Sequence, residues 1–108
     1  MIKWFSGLPN SGKTTAAEAT GFVLVDADLV RKVFPGTFSP EVRRYNVLRC
    51  WKVARCLDLA GQDVAVACIA PFRDQREDLE GRGVEFVYLP GGHWDESYGP
   101  NLYEANDE

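Results

Sequence analysis

Gly7-Leu8-Pro9-Asn10-Ser11-Gly12-Lys13-Thr14 is the stretch on which the reading of this chain turns. It satisfies G-x-x-x-x-G-K-[ST]. It also lies between an apolar run, Ile2-Lys3-Trp4-Phe5, and a helix-forming run, Lys13 to Thr20, closed by Gly21. That strand–loop–helix context separates the motif from a chance glycine-rich turn. Glycines let backbone N–H groups close around oxyanions with no Cβ in the way, and the helix N-terminus adds unpaired N–H groups and its positive dipole end. Lys13 then reaches the β- and γ-phosphates, and the Thr14 hydroxyl ligates Mg²⁺. The expected ligand is a nucleoside triphosphate with Mg²⁺, held by Gly7, Asn10, Ser11, Gly12, Lys13, Thr14 and Thr15.

Outward from this motif, apolar runs alternate with helical ones. Phe22-Val23-Leu24-Val25 is a second buried strand that stops at Asp26, and Pro35-Gly36 marks a turn. The longest helix starts with Ser39 as N-cap, Pro40 at the first helical position and Glu41 in the first turn, and ends near Gly61. Val64 to Ile69 is a third strand, stopped by Pro71. Arg73 to Glu80 is a polar helix ended by Gly81 and Gly83, and Val84 to Leu89 is a fourth strand. Nearly all-apolar strands alternating with helices predict an α/β fold: a three-layer P-loop NTPase arrangement around a small, mainly parallel sheet of about four strands, covered on both faces. No repeat or interdomain linker interrupts residues 1–108, which read as a single domain. The segment after Pro90 reads as irregular, with Glu104, Asp107 and Glu108 in a solvated tail.

Composition narrows the function classes. With 108 residues, 45% of them apolar and 26% charged, the chain can bury one modest core. A formal net charge of −4 argues against a general DNA or RNA binder. A local basic pocket built from Arg31, Arg43, Arg44 and Arg49 remains compatible with it. No stretch approaches the roughly 20 apolar residues of a membrane span. Ile2 to Phe5 runs straight into a glycine-rich turn rather than a signal-peptide core, so the cytoplasm is the expected compartment. Cys50, Cys56 and Cys68 match no zinc spacing and sit in apolar stretches, so all three are expected to be buried and reduced.

Two further groups carry chemistry. Asp26-Ala27-Asp28 follows the second strand, where ligands of an open α/β sheet gather. Beside a P-loop these carboxylates are expected to hold Mg²⁺ or to accept a proton from an attacking hydroxyl, the bland alternative being a loop in which Asp28 caps the next helix. On the long helix, at 100° per residue, Cys50, Val53, Ala54, Leu57 and Ala60 share one face, and Glu41, Arg44, Lys52, Arg55 and Asp58 the opposite one. Arg43, Asn46 and Arg49 fall on the side that becomes apolar core one or two turns later. Polar groups there need a partner. A phosphate- or sulfate-bearing ligand would supply it, as would an internal salt bridge to Asp26 or Asp28. His93, in a Gly-Gly-His-Trp loop, reads as a surface residue. Trp51 marks either a homodimer contact or ordinary amphipathic packing.

Taken together, these residues resemble the adenylylsulfate kinase family, whose members phosphorylate the 3′-hydroxyl of adenosine 5′-phosphosulfate with ATP. The likeness is carried by Gly7-Leu8 through Gly12-Lys13-Thr14-Thr15, by Leu24-Val25-Asp26-Ala27-Asp28 with Val30-Arg31, by Phe38-Ser39 with Arg43, Asn46 and Arg49, and by Ile69-Ala70-Pro71 with Arg73 and Arg76. The resemblance implies that Lys13, Asp26 and Asp28 are the catalytic group, with Asp28 near the acceptor hydroxyl and Asp26 and Thr14 at the metal. It implies that Arg31, Arg43 and Asn46 hold the adenylylsulfate, that Phe38 stacks on its adenine, and that Ile69 and Ala70 contact it through the backbone.

The departures are specific. Ala70 stands where the family has Ser, Val42 where it has Asp, and Leu48 where it has Arg. The P-loop helix is two or three turns shorter, the last strand is missing, and the family's Lys-Gly-Leu-Tyr lid has no counterpart. Only Pro90 to Ser97 precedes Tyr98-Gly99-Pro100, which resembles the family's Tyr-Glu-x-Pro stretch. A lid excludes water and completes a site. Two other readings therefore stand beside an adenylylsulfate kinase: a reduced nucleotide-binding module with little turnover, and a kinase for another hydroxyl, such as a polynucleotide end.

Overall fold

The computed structural model describes residues 1–106. Asp107 and Glu108 of the acidic tail, and the side chain of Tyr98, lie outside the described part. The elements run β1 (Ile2–Ser6), α1 (Lys13–Ala19), β2 (Val23–Asp26), α2 (Ala27–Val33), α3 (Pro40–Leu59), β3 (Val64–Ala67), α4 (Arg73–Gly81) and β4 (Glu85–Tyr88), followed by a 3₁₀ turn at Glu96–Tyr98. The strands form one sheet in the order β2-β3-β1-β4, every pair parallel, with Trp4 flanked by Val66 and Phe86. All four carboxyl ends therefore open on the same edge, where the ligands of such a sheet collect.

The caps follow the sequence signals. Ser39 Oγ accepts from Val42 N at 3.3 Å, with Pro40 at the first helical position. Gly61, at φ +89°, ends α3, and Gln62 N donates to Leu57 O at 3.0 Å, which satisfies one of the last carbonyls. At α2 the capping residue is Asp26, whose Oδ1 accepts from Asp28 N at 2.8 Å. The alternative with Asp28 as cap is not what forms, because β2 carries Asp26 one residue ahead of the helix.

Helices cover both faces unequally. On one face α2, α3 and α4 bury Val30, Val47, Cys50, Ala54 and Leu79 against Trp4, Val64 and Val66. Trp4 is fully enclosed, and its indole N–H donates to Cys68 O at 3.1 Å, so a large apolar side chain is buried without an unpaired donor. On the other face α1 alone sets Ala17 on Phe5, Ala65 and Ala67. These small residues let the first helix lie close to the sheet, which fixes where the glycine-rich loop must sit.

Three expectations for α3 need correction. Val53 is 40% exposed, and Ala60 and Cys56 are exposed as well. The buried stripe steps through Val47, Cys50 and Ala54, with Leu57 half-buried. That three-four spacing leaves Val53 and Cys56 off the contact line with the sheet. Cys50 and Cys68 are buried as expected. Trp51, weighed as a dimer contact, packs half-buried against the core.

Candidate active site

The glycine-rich loop joins β1 to α1 at the open edge of the sheet. Gly12 has φ +90° with open space around it, and Asn10 takes φ +64°, a region that asparagine tolerates. Gly7 is needed for a different reason: a Cβ there would lie 2.8 Å from Leu89 O and 2.8 Å from Ser11 Oγ. Ser11 N donates to Leu8 O at 3.2 Å, and Lys13 Nζ arches back to the same carbonyl at 2.8 Å. Burial pulls the Lys13 ammonium below its ordinary value. A half-dehydrated cation over a loop of backbone N–H groups suits a polyphosphate, whose charge offsets that cost.

Next to this loop lie the two carboxylates. Thr14 Oγ1 donates to Asp26 Oδ2 at 3.1 Å, while Asp26 Oδ1 caps α2, so both Asp26 oxygens are fixed. Octahedral Mg²⁺ with ligands at 2.0–2.1 Å places neighbouring oxygens about 3 Å apart. Thr14 and Asp26 therefore fit as two hard ligands of one cation. Among the described residues no three His, Cys, Asp or Glu converge on a metal position, so phosphate oxygens and water would complete the shell. Asp28, on the first turn of α2, is paired with Arg31 through Oδ1.

The opposite wall comes from the start of α3 and the end of β3. Arg43 and Asn46 are only 9% and 7% exposed, as the helical angle required. Asn46 lines the cleft, and its Oδ1 is buried with no hydrogen-bond partner among the described residues. Arg43 Nη1 donates to Pro100 O at 2.7 Å and its guanidinium lies over the Trp94 ring at 4.8 Å, with burial drawing the group below its ordinary value. Arg31 lies over the Phe38 ring at 5.4 Å.

One cavity of about 510 Å³ is lined by Asn10, Gly12, Lys13, Thr14 and Thr15 on one side and by Arg31, Phe38, Arg43, Asn46 and Ile69 on the other, with Asp26 and Asp28 between them. That volume lies within the usual range for small-molecule sites. Gly7, Ser11 and Ala70 stand behind this lining. Ala70 is fully buried at φ +47°, and its carbonyl accepts from Arg76 Nη1 at 2.8 Å. The basic pocket drawn from four arginines is thus half as large as expected. Arg44 pairs with Asp74 and lies over Phe72, and Arg49 lies over Phe34 at 4.8 Å. Arg44 is thus claimed by the start of α4 and Arg49 by the end of α2.

The segment after β4 is where sequence reasoning missed most. It is irregular, as expected, but it is not a free tail. A Cβ on Gly92 would lie 2.4 Å from Pro9 O, and His93 N donates to that oxygen at 2.9 Å, so the chain is pressed against the glycine-rich loop. His93 itself is exposed. Beyond it the irregular chain contributes Trp94, Asn101, Leu102 and Tyr103 to the lining of the cleft.

Glu104, expected in a solvated tail, is exposed yet pinned to the start of α4. Its carboxylate accepts from Arg73 N at 3.0 Å, and its own N–H donates to Pro71 O at 2.8 Å. Fully buried Arg76 fastens the same segment through Glu104 O and, at 3.1 Å, Asn106 Oδ1, with the Tyr103 ring 5.0 Å away.

Comparison with known proteins gives a consistent neighbourhood. The sequence model of the family described as adenylylsulphate kinase matches residues 1–87. The adenylyl-sulfate kinase of Aeromonas hydrophila is 37% identical over 101 residues, covering 81% of this chain and 51% of that protein. That of Klebsiella pneumoniae is 36% identical over 107 residues, covering 83% and 53%. The structure of the Mycobacterium tuberculosis APS kinase in complex with AMPPNP and APS is similar at a TM-score of 0.64 and 28% identity, over 81% of this chain and 59% of that one. The chain spans about half the length of the curated relatives it matches.

Proposed function

Since the chain belongs to the adenylylsulphate kinase family, we propose that its cleft moves the γ-phosphoryl group of ATP onto the 3′-hydroxyl of adenosine 5′-phosphosulfate, giving 3′-phosphoadenosine 5′-phosphosulfate and ADP. The observation that carries this reading is the union, in one cavity, of a polyphosphate cradle and a second wall built for an anion, with Asp26 and Asp28 between them.

The two walls divide the work. Lys13 and the amides of the glycine-rich loop hold the triphosphate, and Thr14 with Asp26 holds Mg²⁺, which neutralises phosphate charge when bound. Arg31, Arg43 and Asn46 hold the phosphosulfate end of the acceptor, and Phe38 offers its ring to the adenine. Asn46 lines the cleft and would donate from its side-chain amide N–H₂ to the anion, whose oxygens have no proton to give its Oδ1. Asp28 takes the proton of the 3′-hydroxyl as that oxygen bonds to phosphorus and the bridge to ADP breaks. Catalysis is then mainly positioning and charge neutralisation. Among the described residues no helix is long and apolar enough to cross a membrane. The three free cysteines suit the reducing cytoplasm as the working compartment.

The test is coupled ADP release with and without adenylylsulfate, beside Mg²⁺-dependent ATP binding. The expected result is turnover that requires both nucleotides and loss of ATP affinity in Lys13→Ala. Tight ATP binding without acceptor-dependent turnover would replace the kinase by a nucleotide-binding module. ATP affinity undiminished in Lys13→Ala would remove both.

A further inference from the structure

A guanidinium on a long flexible stem binds an anion weakly if the ligand must also order it. In this chain Arg43 is ordered beforehand, and from an unexpected direction. The Trp94 ring lies beneath its guanidinium at 4.8 Å, and Pro100 O accepts from Nη1 at 2.7 Å. Trp94 is itself held, because its indole N–H donates to Gly99 O at 2.8 Å and the preceding His93 N is bonded to Pro9 O at 2.9 Å. The side chain is half-buried and lines the same cavity as Arg43 and Asn46, as does Tyr103 further along. An aromatic face under an arginine stabilises it and fixes where its donors can point.

We propose that residues 94–103 form the acceptor wall of the cleft, with Trp94 as a positioning residue that sets the Arg43 guanidinium for the anionic group of the acceptor. This rests on the acceptor reading given above. The segment thereby does with fixed contacts part of what a mobile lid does by closing.

The test is direct titration of the full chain, its Trp94→Ala variant and its Trp94→Phe variant with adenylylsulfate and, separately, with Mg²⁺-ATP. For Trp94→Ala the adenylylsulfate dissociation constant should rise about tenfold, the loss of one cation–aromatic contact in a partly dry site, while that for ATP stays within about twofold. Trp94→Phe, which keeps a ring face, should recover most of the loss. Unchanged or tighter adenylylsulfate binding by Trp94→Ala overturns the proposal, tighter binding meaning that the segment obstructs the site. Equal loss of both ligands overturns it too, since Trp94 would then support the fold at large. If the unaltered chain binds ATP but not adenylylsulfate, the acceptor reading itself fails and takes this inference with it.

Discussion

Gly92→Ala is the sharpest probe of the contact between the C-terminal segment and the glycine-rich loop. The new Cβ would lie 2.4 Å from Pro9 O, 3.0 Å from Ser11 N and 3.1 Å from Leu8 O, all backbone atoms that cannot swing aside. Ordinary contact begins near 3.4 Å, so the two segments must part by about 1 Å. That separation stretches the 2.9 Å bond from His93 N to Pro9 O beyond hydrogen-bonding range, at about 1 kcal/mol. The left-handed backbone, φ +72°, adds about 1 kcal/mol for any residue with a Cβ. Gly91→Ala is the matched control, since φ is +82° there but nothing lies within 4 Å of the added methyl. Both changes restrict the unfolded chain equally, so that contribution cancels in the comparison. The expected outcome is a melting temperature about 4 °C lower for Gly91→Ala and about 8–10 °C lower for Gly92→Ala. Only Gly92→Ala should also weaken Mg²⁺-ATP binding, roughly tenfold, because Pro9 and Ser11 belong to the phosphate cradle. Differential scanning calorimetry and a nucleotide titration measure the two effects. Equal melting temperatures and unaltered ATP affinity in both variants would refute the idea that residues 90–93 brace the loop.

Three further outcomes are expected. Asp26→Asn keeps a good helix cap, so stability should stay within about 0.5 kcal/mol, while Mg²⁺-supported ATP turnover falls at least about tenfold in a metal titration. Asn46→Leu removes a buried acceptor that has no partner in the free protein. It should leave urea stability unchanged or raise it by up to about 1 kcal/mol, yet weaken adenylylsulfate about tenfold by calorimetric titration. Arg44 holds the Asp74 carboxyl below its ordinary 3.8. The pair therefore adds stability above that pH and loses it as pH falls through the lowered value. Both side chains are exposed, so the contribution is only about 0.5 kcal/mol, and Arg44→Gln should narrow the gap between the unfolding free energies at pH 7 and pH 3, measured with urea, by up to that amount.

Local chemistry was legible in the sequence, and closure was not. Apolar runs punctuated by Gly7, Gly21, Pro71 and Gly83 set the alternation of strands and helices. Helical angle alone put Arg43 and Asn46 on the buried side of α3, and their exposures of 9% and 7% agree. The same wheel misplaced Val53 and Ala60, which are exposed, because it cannot say where along a face the sheet makes contact. The missed segment left a signal of its own. Phe72, Arg76 and Leu79 fall on one stripe of an otherwise polar helix and all three are buried, which puts an arginine on the core side in need of acceptors. Those acceptors, Ala70 O, Glu104 O and Asn106 Oδ1, come from two stretches about 30 residues apart. Local pattern cannot find partners at that range.

The position of β1 in the middle of the sheet governs how such a chain can mature on the ribosome. Its neighbours are residues 64–67 and 85–88, so β1 leaves the exit tunnel long before either side can pair with it. Ile2, Trp4 and Phe5 wait meanwhile as an unsheltered sticky patch, open to mispairing or to a holdase. A motif translated ahead of both partner strands is thus among the last parts to become rigid, and a ribosome stalled near residue 80 would carry a polypeptide that already contains every residue of the phosphate cradle yet has no finished cradle to offer.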